Sequence, residues 1–165
     1  MNNRNVDFSI PKWNQLPDVD LYIDQVLSIV NQSLPYYTNN NEHVVLTKTM
    51  INNYVKARIV PPPIKKKYSK SSIAYLFVIS TLKPLFNVTE IAELIRLTLE
   101  SHELSSSYDE YCSFLDTAIY QINNGEAIHR GNDSDGVINA MEDAAIAVVC
   151  QINLRNRLNK KQENS

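Results

Sequence analysis

The stretch Leu46–Ile95, LTKTMINNYVKARIVPPPIKKKYSKSSIAYLFVISTLKPLFNVTEIAELI, decides how the rest of the chain is read. It holds Lys48, Lys56, Arg58, Lys65, Lys66, Lys67, Lys70 and Lys83, and its first acid is Glu90. The whole chain is slightly acidic, with 16 basic and 18 acidic residues and a formal charge of −2. Half of the positive charge is therefore sorted into one segment, and no acid falls between His43 and Thr89. A basic patch on an acidic body suits a module that meets a polyanion on one side only. A solvated basic face fits the same numbers, and charge alone does not choose between them.

Within the stretch, caps and prolines mark out an order of elements. Thr47 is placed to cap a short helix over 48–58, which must stop before Pro61–Pro63 because a residue preceding proline is pushed out of helical geometry. The run PPPIKKKYSK has extended or turn character. Ser69 then caps a third helix whose interior, IAYLFVISTL, is apolar nearly all round, as a central buried helix is. Pro84 ends or kinks it. Asn87, with Glu90 three residues on, forms a capping-box start for a fourth helix with Ile91, Leu94, Ile95 and Thr98 on its inward face.

Working outward, residues 1–17 read as a polar arm punctuated by Pro11 and Pro17 and pinned by Phe8 and Trp13. A first helix is expected from Asp18 to Leu34, capped by Asp18 or Asp20, with Val19, Tyr22, Ile23, Val26, Leu27, Val30 and Leu34 as its apolar stripe. Pro35 ends it, and YYTNNNEH is a loop. Beyond Ser101, helices are expected over 107–122 and 137–158. The expected fold class is all-α, allowing one short β-wing. Residues 18–100 form its main domain, and a helical region over 101–165, packed on that domain as one unit, offers a dimer or small-ligand surface.

Composition limits the chemistry. An apolar fraction of 44% supports a real core, and three glycines leave little for a phosphate-cradling loop. Two cysteines are too few for a disulfide framework, and the start of the chain has no signal-like apolar run, so a reduced, cytoplasmic protein without a membrane partner is expected. Cys112 and Cys150 both lie on apolar helical spacings and read as buried packing residues. The three histidines are scattered and read as surface residues. No nucleophile–base order or paired-carboxylate signature stands out, so no catalytic residue, metal or cofactor is assigned and an enzyme is not expected. The loop GNDSDGVINAME has Asp133, Asp135, Gly136, Ile138 and Glu142 at EF-hand-like spacing, but Gly131 stands where the first ligand would be. A polar loop whose Asp135 caps the next helix is the better reading.

The helix over 48–58 carries the functional expectation. Met50, Ile51, Tyr54 and Val55 form its packing face, and Lys48, Thr49, Asn52, Asn53 and Lys56 form the opposite one. Asparagine can pair bidentately with adenine, lysine can reach guanine acceptors or phosphate, and threonine offers a hydroxyl and a methyl group. Such residues also make an ordinary solvated helix face. The context adds a stiff proline exit and a Lys65–Lys67 tip, which is what lying along a phosphate backbone requires.

The order TKTMINNYVKARIVPPP, KKYSKSSI and LKPLFNVTEIAELI resembles the MerR-type winged helix-turn-helix: recognition helix, short wing, then two capped helices. Thr47 falls on that family's helix cap, Ile51 on a buried isoleucine, Tyr54 on the second residue of a Tyr-Tyr pair and Pro61 on the proline after the recognition helix. Tyr68 and Ser69 fall on its Tyr-Ser, and Phe86, Asn87, Glu90 and Ile91 on its fourth-helix entry. The string MINNYVK…PPP…KKKYS also looks like a bacterial family of uncharacterised proteins, a domain of unknown function related to MerR regulators. MerR proteins usually carry arginine at Asn52, tyrosine at Asn53 and glycine at Arg58; their long dimerisation coiled coil is missing here. The resemblance implies a bacterial transcriptional regulator that binds double-stranded DNA as a homodimer. Thr47, Lys48, Thr49, Asn52, Asn53 and Lys56 would face the major groove, and Lys65, Lys66, Lys67, Tyr68 and Lys70 the phosphates. A small-molecule effector is expected at the C-terminal helices. A protein-interaction adaptor built on the same scaffold is the alternative.

Overall fold

The computed structural model describes residues 5–34, 45–131 and 136–163. Six helices and a small antiparallel sheet are present among them. Strand β1 (Leu21–Tyr22) leads straight into helix α1 (Ile23–Ser33), and α2 (Lys48–Lys56) follows. Strand β2 (Lys67–Tyr68) precedes α3 (Lys70–Leu82), α4 (Val88–Ser101), α5 (Leu104–Asn124) and α6 (Gly136–Glu163). The expected loop YYTNNNEH, residues 36–43, and the centre of the EF-hand-like loop, 132–135, lie outside the described residues.

Helix α3 is the axis of the molecule. All but Lys70, Ser71 and Tyr75 of its residues are buried, including Ile73, Leu76, Phe77, Ile79 and Leu82. A helix apolar all round has no solvent face to offer, so neighbours must cover it on every side; α1, α4, α5 and α6 all do. The expected caps form. Thr47 Oγ1 accepts the Met50 amide at 3.3 Å, Ser69 Oγ accepts the Ser72 amide at 3.3 Å, and Asn87 and Glu90 exchange bonds of 2.9 Å each. Each cap satisfies amides that the first helical turn leaves without partners.

The first helix starts at Ile23, five residues later than expected, and neither Asp18 nor Asp20 caps it. The reason is non-local: Leu21 pairs with Tyr68 and Tyr22 with Lys67, so the two residues are held extended. The Tyr22 amide is met by Gln25 Oε1 at 2.9 Å. Helix α2 ends at Lys56 instead of Arg58, because Arg58 turns into the left-handed region at φ 60° and sends the chain back, with the Ile59 and Val60 amides on the Tyr54 carbonyl. Helices α5 and α6 are both longer than expected.

The N-terminal arm is part of the core. Val6, Ile10 and Leu16 are buried along with Phe8, and Trp13 packs edge-on against Tyr108 at 6.2 Å. Asn123 accepts from the Val6 amide and donates to its carbonyl, both at 2.8 Å, and the Tyr108 hydroxyl donates to the Pro11 carbonyl at 2.8 Å. Helices α5 and α6 run in the same direction. Tyr108 and Tyr111 near the start of α5 share a small void with Met141 near the start of α6, while Asn123 and Asn156 near their ends both reach the arm. The residues described after Gly125 therefore start back along the pair, and the Gly131 amide is held by the buried Glu142 carboxylate at 2.9 Å. Cys112 is buried as expected, but Cys150 is exposed: α6 turns that face outward.

Candidate nucleic-acid interface

Two basic features meet at the first turn of α1. On one side, Lys48 at the start of α2 forms an ion pair with Asp24 at 2.8 Å. On the other, Tyr22 pairs with Lys67 in the sheet, and the Lys67 ammonium sits 5.0 Å from the centre of the Tyr22 ring. The outward face of α2 and the β-hairpin ending in Lys67 are thus tied to residues only two apart in sequence. Thr47, Lys48, Thr49, Asn52, Asn53 and Lys56 are all exposed, while Ile51 and Tyr54 turn into the core.

The hairpin is a tight one. Ile64 and Lys67 exchange both backbone bonds, at 2.9 and 3.0 Å, leaving only Lys65 and Lys66 in the loop, at φ 49° and 66°. Two successive left-handed residues make a type I′ turn, whose twist matches that of paired strands and which favours Asn-Gly. Lysines stand there instead. Arg58, Lys65 and Lys66 are the three non-glycine residues with positive φ among the described residues, and all three are exposed cations.

The acid-free stretch of sequence does not make an acid-free surface. Asp24 neutralises Lys48, and Asp18 meets Lys70 at 2.6 Å, with Lys70 also 5.3 Å from the Trp13 ring centre. Strand pairing brings the acidic segment 18–24 against the basic one, which helical spacing could not foretell. Exposed pairs of this kind are worth little, about 0–1 kcal/mol, so a phosphate can displace the carboxylate. Lys83 leaves the face altogether. It is half-buried, its Nζ donates to the Val45 carbonyl at 3.2 Å, and burial lowers its pKa. Tyr68, expected among the phosphate-contacting residues, lies in the core at 4% exposure because it alternates with the outward Lys67. Among the described residues no carboxylate pairs with Lys56, Arg58, Lys65 or Lys66. Nor do the described residues contain a group of three or more His, Cys, Asp or Glu placed to hold a metal ion. No helix among them is long and apolar enough to cross a membrane.

The molecule so defined is a mainly helical unit with a two-stranded sheet and one concentrated cationic edge. Its residues 11–114 match the family described as a domain of unknown function, DUF1836, and the chain belongs to that family. No curated protein and no solved structure matches it.

Proposed function

We propose that the chain is a bacterial DNA-binding regulator, built as a MerR-like winged helix-turn-helix in which α2 enters the major groove and the Lys65–Lys67 hairpin lies on the phosphates. The observation that carries this reading is the placement of Arg58, Lys65 and Lys66 in left-handed backbone. Such residues cost about 1–2 kcal/mol each relative to right-handed geometry, and a strained residue retained in a protein points to a use for its side chain. The positions where glycine or asparagine would be cheapest all carry a positive charge, next to a helix face of Thr, Lys and Asn. A core or a hairpin gains nothing from that choice; a polyanion does.

A half-site reader of this size is completed by a second copy. Leu154 and Leu158, exposed and one helical turn apart on α6, supply apolar surface for such a homodimer. An effector at the C-terminal helices would fit the open groove of about 490 Å³ between α4 and α6, lined by Phe86, Glu90, Leu94, Ala140, Asp143 and Ala147. The void between Tyr75, Thr98, Ser107 and Met141, at about 30 Å³, holds little more than a water molecule. Selection from a random pool of duplexes at two salt concentrations tests the reading. With about six phosphate contacts per dimer, log affinity should fall with a slope of roughly −5 against log salt. Absence of both enrichment and salt dependence overturns it, and loss of a protein partner on neutralising the Lys65–Lys67 tip would favour the adaptor instead.

A further inference from the structure

The outward face of the hairpin carries more than charge. Ile64, Lys67 and Tyr22 are cross-strand partners in one row, so their side chains share a face, while Leu21 and Tyr68 point to the core. On that face Ile64 is 75% exposed and Tyr22 51% exposed. Ile64 therefore stands as an apolar side chain beside a tip of three lysines, on a hairpin closed by two backbone bonds and preceded by Pro61–Pro63. The prolines and the tight turn remove most of the freedom that inserting a flexible loop would forfeit. The adjacent lysines exclude an apolar partner but suit the phosphate ridges of a minor groove, which is about 6 Å wide.

We propose that Ile64 is a minor-groove wedge: with Lys65, Lys66 and Lys67 holding phosphates, its side chain enters a base step and kinks the duplex. Apolar wedges flanked by basic residues act in this way, unstacking one step to let bent DNA meet more protein surface. The inference rests on the DNA-binding reading above and adds what that reading lacks, a contact that reads deformability as opposed to charge. Flexible pyrimidine–purine steps are the expected target.

The blander role for Ile64 is local, since a β-branched residue beside a tight turn favours the extended strand. Ile64→Thr keeps the branching and the hairpin while removing the apolar reach. Duplexes selected as above, carrying 2-aminopurine at successive positions and a dye at each end, are bound by the native chain and by the variant. The wedge predicts that native binding brightens 2-aminopurine at one step and shortens the end-to-end distance. The variant should keep the same salt slope, lose both signals and bind about tenfold more weakly. Equal bending and brightening by both chains, or none by either, overturns the wedge while salt-dependent binding leaves the DNA reading standing. If neither chain binds duplex, that reading falls too. Preference of the native chain for a polyglutamate peptide, lost in Ile64→Thr, would assign the face to a protein partner and also overturn the wedge.

Discussion

At the residue scale, the left-handed positions separate stability from recognition. Replacing Lys65 by Asn and Lys66 by Gly supplies the residues a type I′ turn prefers, so urea unfolding should show a gain of about 1 kcal/mol or more. The same double substitution should weaken duplex binding severalfold and flatten its salt slope. A fall in stability would mean that the lysines are held by something other than their charge. Arg58 makes the related point: local spacing carried the expected helix through it, and its left-handed backbone just past the end of α2 was not legible in the sequence. Deeper in, Thr81 Oγ1 lies 2.8 Å from the Val78 carbonyl and 2.7 Å from the Tyr111 hydroxyl. Threonine has one proton, so donating it to Val78 makes Tyr111 the donor to Thr81. Thr81→Val then strands a buried hydroxyl and should cost about 1–3 kcal/mol, whereas Tyr111→Phe leaves Thr81 satisfied and should cost nearer 1. The two thiols should differ as well. Burial pushes Cys112 up to about 12, and an exposed Cys150 should react first with a thiol reagent at neutral pH, Cys112 only after unfolding.

At the element scale, legibility followed the range of the interaction that ends each element. Helices α2, α3 and α4 begin at their own caps, Thr47, Ser69 and Asn87, and their starts lie where local spacing puts them. The first helix was misplaced because its start depends on Lys67 and Tyr68, some 45 residues further on. Two-residue strands are too short to show a period. The acid–base pairing at the interface was hidden for the same reason, and with it the inward placement of Tyr68 and Lys83. Local caps invite a local test. Asn87→Ala removes one half of a reciprocal pair and should lower stability by about 1 kcal/mol in thermal unfolding, without changing duplex affinity. A change in affinity would show that α4 positions the interface and is not merely support.

At the scale of the whole molecule, the boundary drawn after residue 100 separates parts that share one core. Tyr108, Tyr111, Cys112 and Leu115 of α5, with Ala145, Val148 and Val149 of α6, join α3 and the arm in a single buried cluster. A fragment over 18–100 should therefore lack a cooperative thermal transition that the full chain shows by circular dichroism. The family match, over 11–114, takes in the Pro11 carbonyl and its Tyr108 donor, which suits a clasp belonging to the unit itself. Burial raises the pKa of Tyr54, Tyr68, Tyr75, Tyr108 and Tyr111. A raised folded-state value means the folded chain keeps protons that the unfolded chain releases above about pH 10, so stability should fall as pH rises past that point. Lys83, lowered by burial, contributes the opposite slope but is one group against five. Absorbance titration at 295 nm should show the deeply buried Tyr108 and Tyr111 ionising only with unfolding. The arm has one more consequence, for synthesis. Val6 is held by Asn123, so the native grip on the arm waits for 117 further residues to be made. At about 5–20 residues per second, the nascent chain carries Val6, Phe8 and Ile10 unburied for roughly ten seconds after they leave the ribosome. During that interval the arm is a client for whatever shields apolar segments in the cell, and only the arrival of α5 can release it.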